Sequence, residues 1–326
     1  MATYKGIKGF SIQNISAEPS DPVEGQFWYN STSNVWKVEE ATAAGAWASG
    51  GNMSTARYGL GGAGLQTAAL AWSGGTTPNV FPAQSEEYDG SSWTAGGNIG
   101  TPRSGTIQVG IQTAALGTGG YSAPLGTLVN STEEYDGTSW ASGGNYPTNI
   151  NYGSGFGIQT AAIGSGGFTP SLTTVANEYN GSTWTGITAL PTATAAHQGA
   201  GTSTAGLVSG GGNPSYTTAT YEYNGSSWSS GGAMNTARGY FGNSTQGSQT
   251  STIAFGGLTP SATNVTESYD GTTWSTDTNY PASLGQLAGA GTGSAGLGFA
   301  GTPPDSNATN EYTGAGAAVT KTITVS

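Results

Sequence analysis

Cysteine is absent from the 326 residues, which excludes disulfides, thiol catalysis and cysteine-ligated metal. Charge is scarce too: Asp, Glu, Lys and Arg together make up 8% of the chain, against about 25% in ordinary soluble domains. Seven Lys and Arg face eighteen acidic residues, a formal net charge of −11. No basic stripe is available to neutralise phosphates, so a nucleic-acid partner is not expected. Apolar runs are short: none approaches the roughly 18 residues of a membrane helix, and Met1 to Lys8 lead into no signal-type segment. Synthesis in a cytoplasm without membrane insertion is the expectation.

What fills the chain is Gly, Ser, Thr, Asn and Ala, with 57 glycines. That composition alone is compatible with disorder, but regularly placed aromatics argue for packed β structure. Tyr135-Asp136-Gly137-Thr138-Ser139-Trp140 has close copies at Tyr88 to Trp93, Tyr179 to Trp184, Tyr223 to Trp228 and Tyr269 to Trp274. With Trp47 as a decayed first member, the tryptophans fall at 47, 93, 140, 184, 228 and 274, in steps of 46, 47, 44, 44 and 46. A period in the middle forties built from strand-like units predicts propeller blades.

One unit reads as four antiparallel strands. Tyr58 to Leu65 is a Gly-rich first strand; Thr67 to Gly75 is a second, ending in a glycine pair. After a variable loop come Ser85-Glu86-Glu87-Tyr88, a tight Asp89-Gly90 turn and a Trp93 strand, because Asp-Gly and Asn-Gly tolerate the positive φ of hairpin turns. The second strand repeats at Thr113 to Gly120, Thr160 to Gly167, Thr204 to Gly211, Ser251 to Gly257 and, loosely, Ser294 to Gly301. This layout resembles the kelch repeat over residues 47 to 313. Small residues before the glycines, at Thr118 and Ser165, depart from the usual larger apolar residue, whereas Phe255 keeps it.

The last unit has three strands ending at Tyr312 and no Trp, while Ala46 to Gly51 is an orphan fourth strand. Joining them closes a sixth blade and covers open edges, as kelch propellers close. The competing scheme uses Val319 to Val325 instead. The fold expected is all-β: a six-bladed kelch-like propeller over 41–316 closed by N- and C-terminal strands, a small β-hairpin arm over 1–40, and an extra strand or arm over 317–326.

Recurrent Tyr and Trp are expected in the core, and the recurrent Glu87, Glu134, Glu178, Glu222 and Glu311 are expected to be solvated or bonded to backbone, on the opposite side of the strand from Tyr. The Asp89 to Trp93 turn loosely resembles the Asp-box of sialidase propellers. Sialidases use three arginines, and Arg57, Arg103 and Arg238 stand at first-strand entries in different blades, as does His197, the only histidine. Repeat position favours a structural role for all four, although they count as candidates on the loop side. Galactose-oxidase-type copper chemistry would need a Tyr–Cys crosslink, which this sequence cannot make. Gly59 to Gly64 precedes no helix and is no phosphate loop. No cofactor, metal or catalytic set is expected.

Loops between second and third strands share a face with the blade-to-blade connections. There, Phe81, Tyr121, Phe168 and Tyr216 are candidate binding residues on a rigid scaffold. At the N-terminus, Lys5-Gly6-Ile7-Lys8-Gly9-Phe10 and Asp21 to Thr32 resemble the leading segment of tail-fibre-like and other virion proteins of phages of marine bacteria. The resemblance implies an attachment arm, with Phe27, Trp28, Tyr29 and Trp36 contacting other virion proteins or sister subunits in a homo-oligomer or multicopy particle. The expected function is a non-enzymatic virion protein whose propeller engages host-surface carbohydrate or a subunit. The alternatives are a sialidase- or lyase-like carbohydrate-active enzyme and a kelch protein-binding adaptor.

Overall fold

The structure is a computed structural model, described over residues 13–17, 19, 26–41, 45–122, 126–212, 215–316 and 318–323. The chain divides into two compact units, 47–313 and 1–46 with 314–326.

The larger unit contains six four-stranded antiparallel sheets, five of them running in chain order from the first to the fourth strand. Sheet I comprises Gly61–Leu65, Ala68–Trp72, Ser85–Tyr88 and Trp93–Ala95. Sheets II, III, IV and V repeat it, with third strands Thr132–Tyr135, Ala176–Tyr179, Thr220–Tyr223 and Thr266–Tyr269. Sheet VI takes Ala288–Gly291, Ala295–Phe299 and Thr309–Thr313 from the end of the chain and Ala46–Ser49 as its fourth strand. The C-terminal strand Ala318–Ile323 does not serve there, so the competing closure is not the one adopted. The architecture is all-β and propeller-like.

The first strands lie side by side and return to the start: sheet VI's neighbours sheet I's as sheet I's neighbours sheet II's. A chain of backbone hydrogen bonds makes the same circuit. The N–H of Gly105 donates to Gly59 O, Tyr152 to Gly105, Ala196 to Tyr152, Tyr240 to Ala196, Gln286 to Tyr240 and Gly59 to Gln286, at 2.6–2.9 Å. All six residues have positive φ, between 52° and 68°, and four of them are not glycine. Left-handed backbone costs an L-residue about 1–2 kcal/mol, so closure of the ring imposes a conformation that local sequence disfavours.

Three kinds of side-chain clamp join neighbouring sheets, the second and third at four of the six junctions, and they show why the repeat has these residues. The tryptophan indole donates to the start of the preceding sheet's third strand: Trp93 to Thr309 Oγ1 (2.8 Å), Trp140 to Ser85 Oγ (2.9 Å), Trp184 to Thr132 Oγ1 (3.0 Å) and Trp274 to Thr220 Oγ1 (2.9 Å). Where that hydroxyl is replaced by Ala176, Trp228 turns to Thr188 O. Trp47 makes the same contact with Thr266 Oγ1 (3.3 Å), adding Thr278 O (3.0 Å), so the borrowed strand is a full substitute.

The second clamp is a tyrosine hydroxyl donating to a glutamate of the preceding sheet: Tyr88 to Glu311, Tyr135 to Glu87, Tyr179 to Glu134 and Tyr269 to Glu222, at 2.5–2.6 Å. The expectation that the recurrent glutamates are solvated or bonded to backbone therefore fails for these four, which face the next sheet because strand alternation turns them away from their own Tyr, and holds for Glu178, which is exposed. Burial, reinforced by the glutamate, pushes all four phenols up to about 12. Third, a glutamine in the turn between first and second strands donates to two carbonyls of the preceding sheet. Gln66 bonds Gly296 O and Tyr312 O, Gln112 bonds Ala69 O and Tyr88 O, Gln159 bonds Ala115 O and Tyr135 O, and Gln249 bonds Gly206 O and Tyr223 O.

The smaller unit is a sheet of Gln13–Ile15, Phe27–Asn30, Val35–Ala41 and Ala318–Ile323 in that spatial order. The expected hairpin is present, with Phe27 opposite Val38 and Tyr29 opposite Trp36, and the C-terminal segment is its extra strand, Ala41 opposite Ala318. The segments 5–10 and 21–25, part of the resemblance to virion proteins, lie outside the described residues, as do 123–125 and 213–214 of the loops and 324–326 of the C-terminal segment.

Candidate functional site

Each second strand ends in two left-handed residues that swing the chain into the loop: Gly119-Gly120, Gly166-Gly167, Gly210-Gly211, Gly256-Gly257 and Ala300-Gly301. In sheet I the pair is Ser73-Gly74, one position before the glycines that the sequence suggested. A Cβ at Gly167 would lie 2.7 Å from Ile150, and one at Gly120 2.9 Å from Ser104 O, so the chain passes too close there for a side chain. The loops that follow carry cis Thr-Pro bonds at Thr77-Pro78, Thr169-Pro170, Thr259-Pro260 and Thr302-Pro303.

On these loops, Phe81 and Tyr121 meet edge to face with centroids 6.0 Å apart. Tyr121 is 37% exposed and Val80 58%. Phe168 is half-buried, bridged to Asn151 and Leu172, with no aromatic ring contact among the described residues. Tyr216 lies over Gly239, where a Cβ would be 2.9 Å from its ring. The structure thus unites two of the four loop aromatics.

The four basic candidates are not part of an exposed face. Arg57, Arg103 and Arg238 are 0% exposed, each inside its own sheet. Arg57 donates to Ser73 O and Gln84 O and pairs with Glu86. Arg103 pairs with Glu133 (3.2 Å), and Arg238 with Glu267 (3.1 Å) while also reaching Ala254 O and Gly256 O. Burial lowers all three guanidinium pKa values, Arg238 to about 10, against the raising effect of its glutamate. In sheets III and VI the arginine position is Ile150 or Leu284 and the glutamate becomes Asn177 or Asn310; Asn310 bonds Tyr280 OH at 3.0 Å. Arginine and glutamate therefore come and go together, as a desolvated ion pair requires.

His197 is buried and is not at the arginine position. Counting from the ring of left-handed residues, Arg57, Arg103 and Arg238 precede it by two, whereas His197 follows Ala196 directly and matches Leu60, Thr106, Phe241 and Leu287. Low similarity around residue 195 obscured a three-residue offset. Its Nε2 lies 3.4 Å from Ser165 Oγ, and burial lowers its pKa to about 3. Among the described residues no three His, Asp or Glu are placed to hold a metal.

No family model matches the chain, and no curated protein matches it.

The feature that sequence reasoning missed is the mouth of the axis. Tyr152, Tyr240 and Gln286 stand on the hydrogen-bonded ring itself, while Gly59, Gly105 and Ala196 supply little or no side chain. Tyr152 folds over Gly105, where a Cβ would be 2.8 Å from its ring, and meets Tyr240 edge to face at 4.9 Å. A cavity of about 40 Å³ lies here, lined by Tyr152, Tyr240 and Gln286 and deeper by Thr106, Ser154 and His197. At the far end of the first strands, Gln246 reaches across to Gly110 O (2.7 Å). The signal was present: ring residues stand twelve after each tryptophan, at 59, 105, 152, 196, 240 and 286.

In the smaller unit, Phe27 (43% exposed), Tyr29 and Trp36 (37%) share one face, with Tyr29 and Trp36 rings 5.3 Å apart. Trp28 is on the other face and fully buried, so of the four expected arm aromatics it is a core residue rather than a contact.

Proposed function

We propose that the 47–313 unit is a six-bladed, kelch-like β-propeller. On this reading the chain is a non-enzymatic virion structural protein, a tail-fibre-like appendage or a capsid or tail decoration, that displays the loop face to host-surface glycan or a neighbouring subunit. The observation that carries the reading is where the charged groups go. Every arginine of the unit is locked to a glutamate inside a sheet, and Glu87, Glu134, Glu222 and Glu311 hold tyrosines of the next sheet. The arginines and these four glutamates build a frame, and the loops that follow the second strands carry aromatic side chains with Asp305 as their one carboxylate.

The cyclic hydrogen bonds support six blades, and the fourth strand taken from Ala46–Ser49 supports closure of the kelch type. For the arm, support comes from the resemblance of residues 5–10 and 21–32 and from the exposed Phe27, Tyr29 and Trp36 face, suited to contacts with other virion proteins or sister copies. The protein would be made in the host cytoplasm and reside in the particle in multiple copies. Cryo-EM and quantitative mass spectrometry of purified particles test this: fixed stoichiometry with residues 1–40 held by a neighbour and the loops outward is expected. Absence from particles, or turnover of surface polysaccharide by the purified chain, would overturn it.

A further inference from the structure

The distribution of charge narrows the ligand. Between residues 47 and 313 there is no lysine, and three arginines stand against thirteen Asp and Glu, a formal charge of −10. All three arginines are 0% exposed and paired. The unit therefore has no cation to offer a carboxylate or sulfate, and an acidic sugar would meet a field of its own sign. At the mouth of the axis the groups on offer are the rings of Tyr152 and Tyr240, the carboxamide of Gln286, whose Oε1 has no protein partner, and the hydroxyl-bearing Thr106 and Ser154. Aromatic rings beside a few fixed polar groups are the chemistry of a small-molecule site.

Size decides how much enters. A buried water needs roughly 10–15 Å³ of such space, so the cavity of about 40 Å³ admits two or three heavy atoms and no sugar ring. Gln246 spans the opposite end, leaving the loop face as the way in.

We propose that this axial mouth binds the terminal residue of a neutral glycan end-on, a hydroxymethyl-sized group entering the cavity while the sugar ring rests against Tyr240. The proposal rests on the reading of the loop face as glycan-binding and assigns the contact to the axis rather than to Phe81 and Tyr121.

The full chain is tested on an array of neutral hexose-terminated, sialylated and uronic-acid glycans. Two variants alter the mouth: Tyr240→Asn, since Asn tolerates the positive φ at this position, and Thr106→Leu, which fills the cavity with the residue found at equivalent positions 60 and 287. Tyr121→Ala is the control on the peripheral loops. Expected are binding to neutral termini alone, a tenfold or greater loss in Tyr240→Asn and Thr106→Leu with both variants still unfolding cooperatively and Thr106→Leu at an unchanged midpoint, and no loss in Tyr121→Ala. Binding of acidic glycans, or loss in Tyr121→Ala with Thr106→Leu unaffected, overturns the axial assignment and leaves glycan binding standing. Failure to bind any glycan, with particles adsorbing equally to host cells stripped of polysaccharide, defeats the glycan reading and this inference with it.

Discussion

His197 makes stability depend on acid in a way that one substitution removes. The imidazole is 1% exposed, and burial, outweighing a hydrogen bond with Ser165, lowers its pKa from 6.5 to about 3. Below pH 6.5 the unfolded chain takes up a proton that the folded chain refuses until about pH 3. Stability from this group is therefore complete above pH 6.5 and falls as the pH drops through that window. Each pH unit within it removes about 1.4 kcal/mol, or about 2 kcal/mol at pH 5. Leucine at the equivalent positions 60 and 287 makes His197→Leu a suitable replacement. Urea unfolding of both proteins at pH 7.5 and 5.0 measures the effect, because every carboxylate contribution is common to the two and cancels. The parent is expected to lose about 2 kcal/mol more than the variant. With a single histidine in the chain, its NMR signal can be assigned without ambiguity. Equal pH dependence in the two proteins, or a histidine titrating near 6.5 in the folded state, would refute the argument.

Glu267→Gln leaves the Arg238 guanidinium, 0% exposed, without its counter-charge and is expected to cost about 3–5 kcal/mol; Arg238→Met with Glu267→Leu should recover most of that in a double-mutant cycle by chemical denaturation. Trp47→Ala removes the indole that the borrowed strand seats between Phe255, Tyr280 and Tyr312. A loss of about 3 kcal/mol is expected, with hydrogen exchange rising first in 309–313; rapid exchange in sheet III instead would contradict the closing role. Gln112→Ala strands the carbonyls of Ala69 and Tyr88 and should cost about 1–3 kcal/mol. Sheet IV, which carries Ser203 at the equivalent place, is expected to gain stability from glutamine there, whereas Gly293 of sheet VI has no room for a side chain, a Cβ lying 2.8 Å from Ser251 C.

Much of this fold is legible in the sequence because every repeat solves the same problem. A strand that must bury Tyr against one neighbour and offer Glu to the other can do so only by alternation, and the Trp spacing records the period of the four-stranded sheets. Closure by Ala46–Ser49 could also be read, since an orphan fourth strand and a unit without one complete each other. What sequence concealed were relations across the axis. His197 looked like a member of the arginine set because the counting ran along one strand, whereas its true register is defined by a ring of backbone bonds joining six strands. Trp28 looked like its exposed neighbours until strand pairing assigned faces. Tyr152, Tyr240 and Gln286 are unremarkable in their own repeats; only the ring, which forces each into left-handed backbone and brings it beside Gly59, Gly105 and Ala196, gathers them at one mouth. Local pattern determined the four-stranded sheets, and the long-range hydrogen bonds that run from sheet to sheet decided which residues stand together on the ring, because a side chain's direction there depends on partners some 45 residues away.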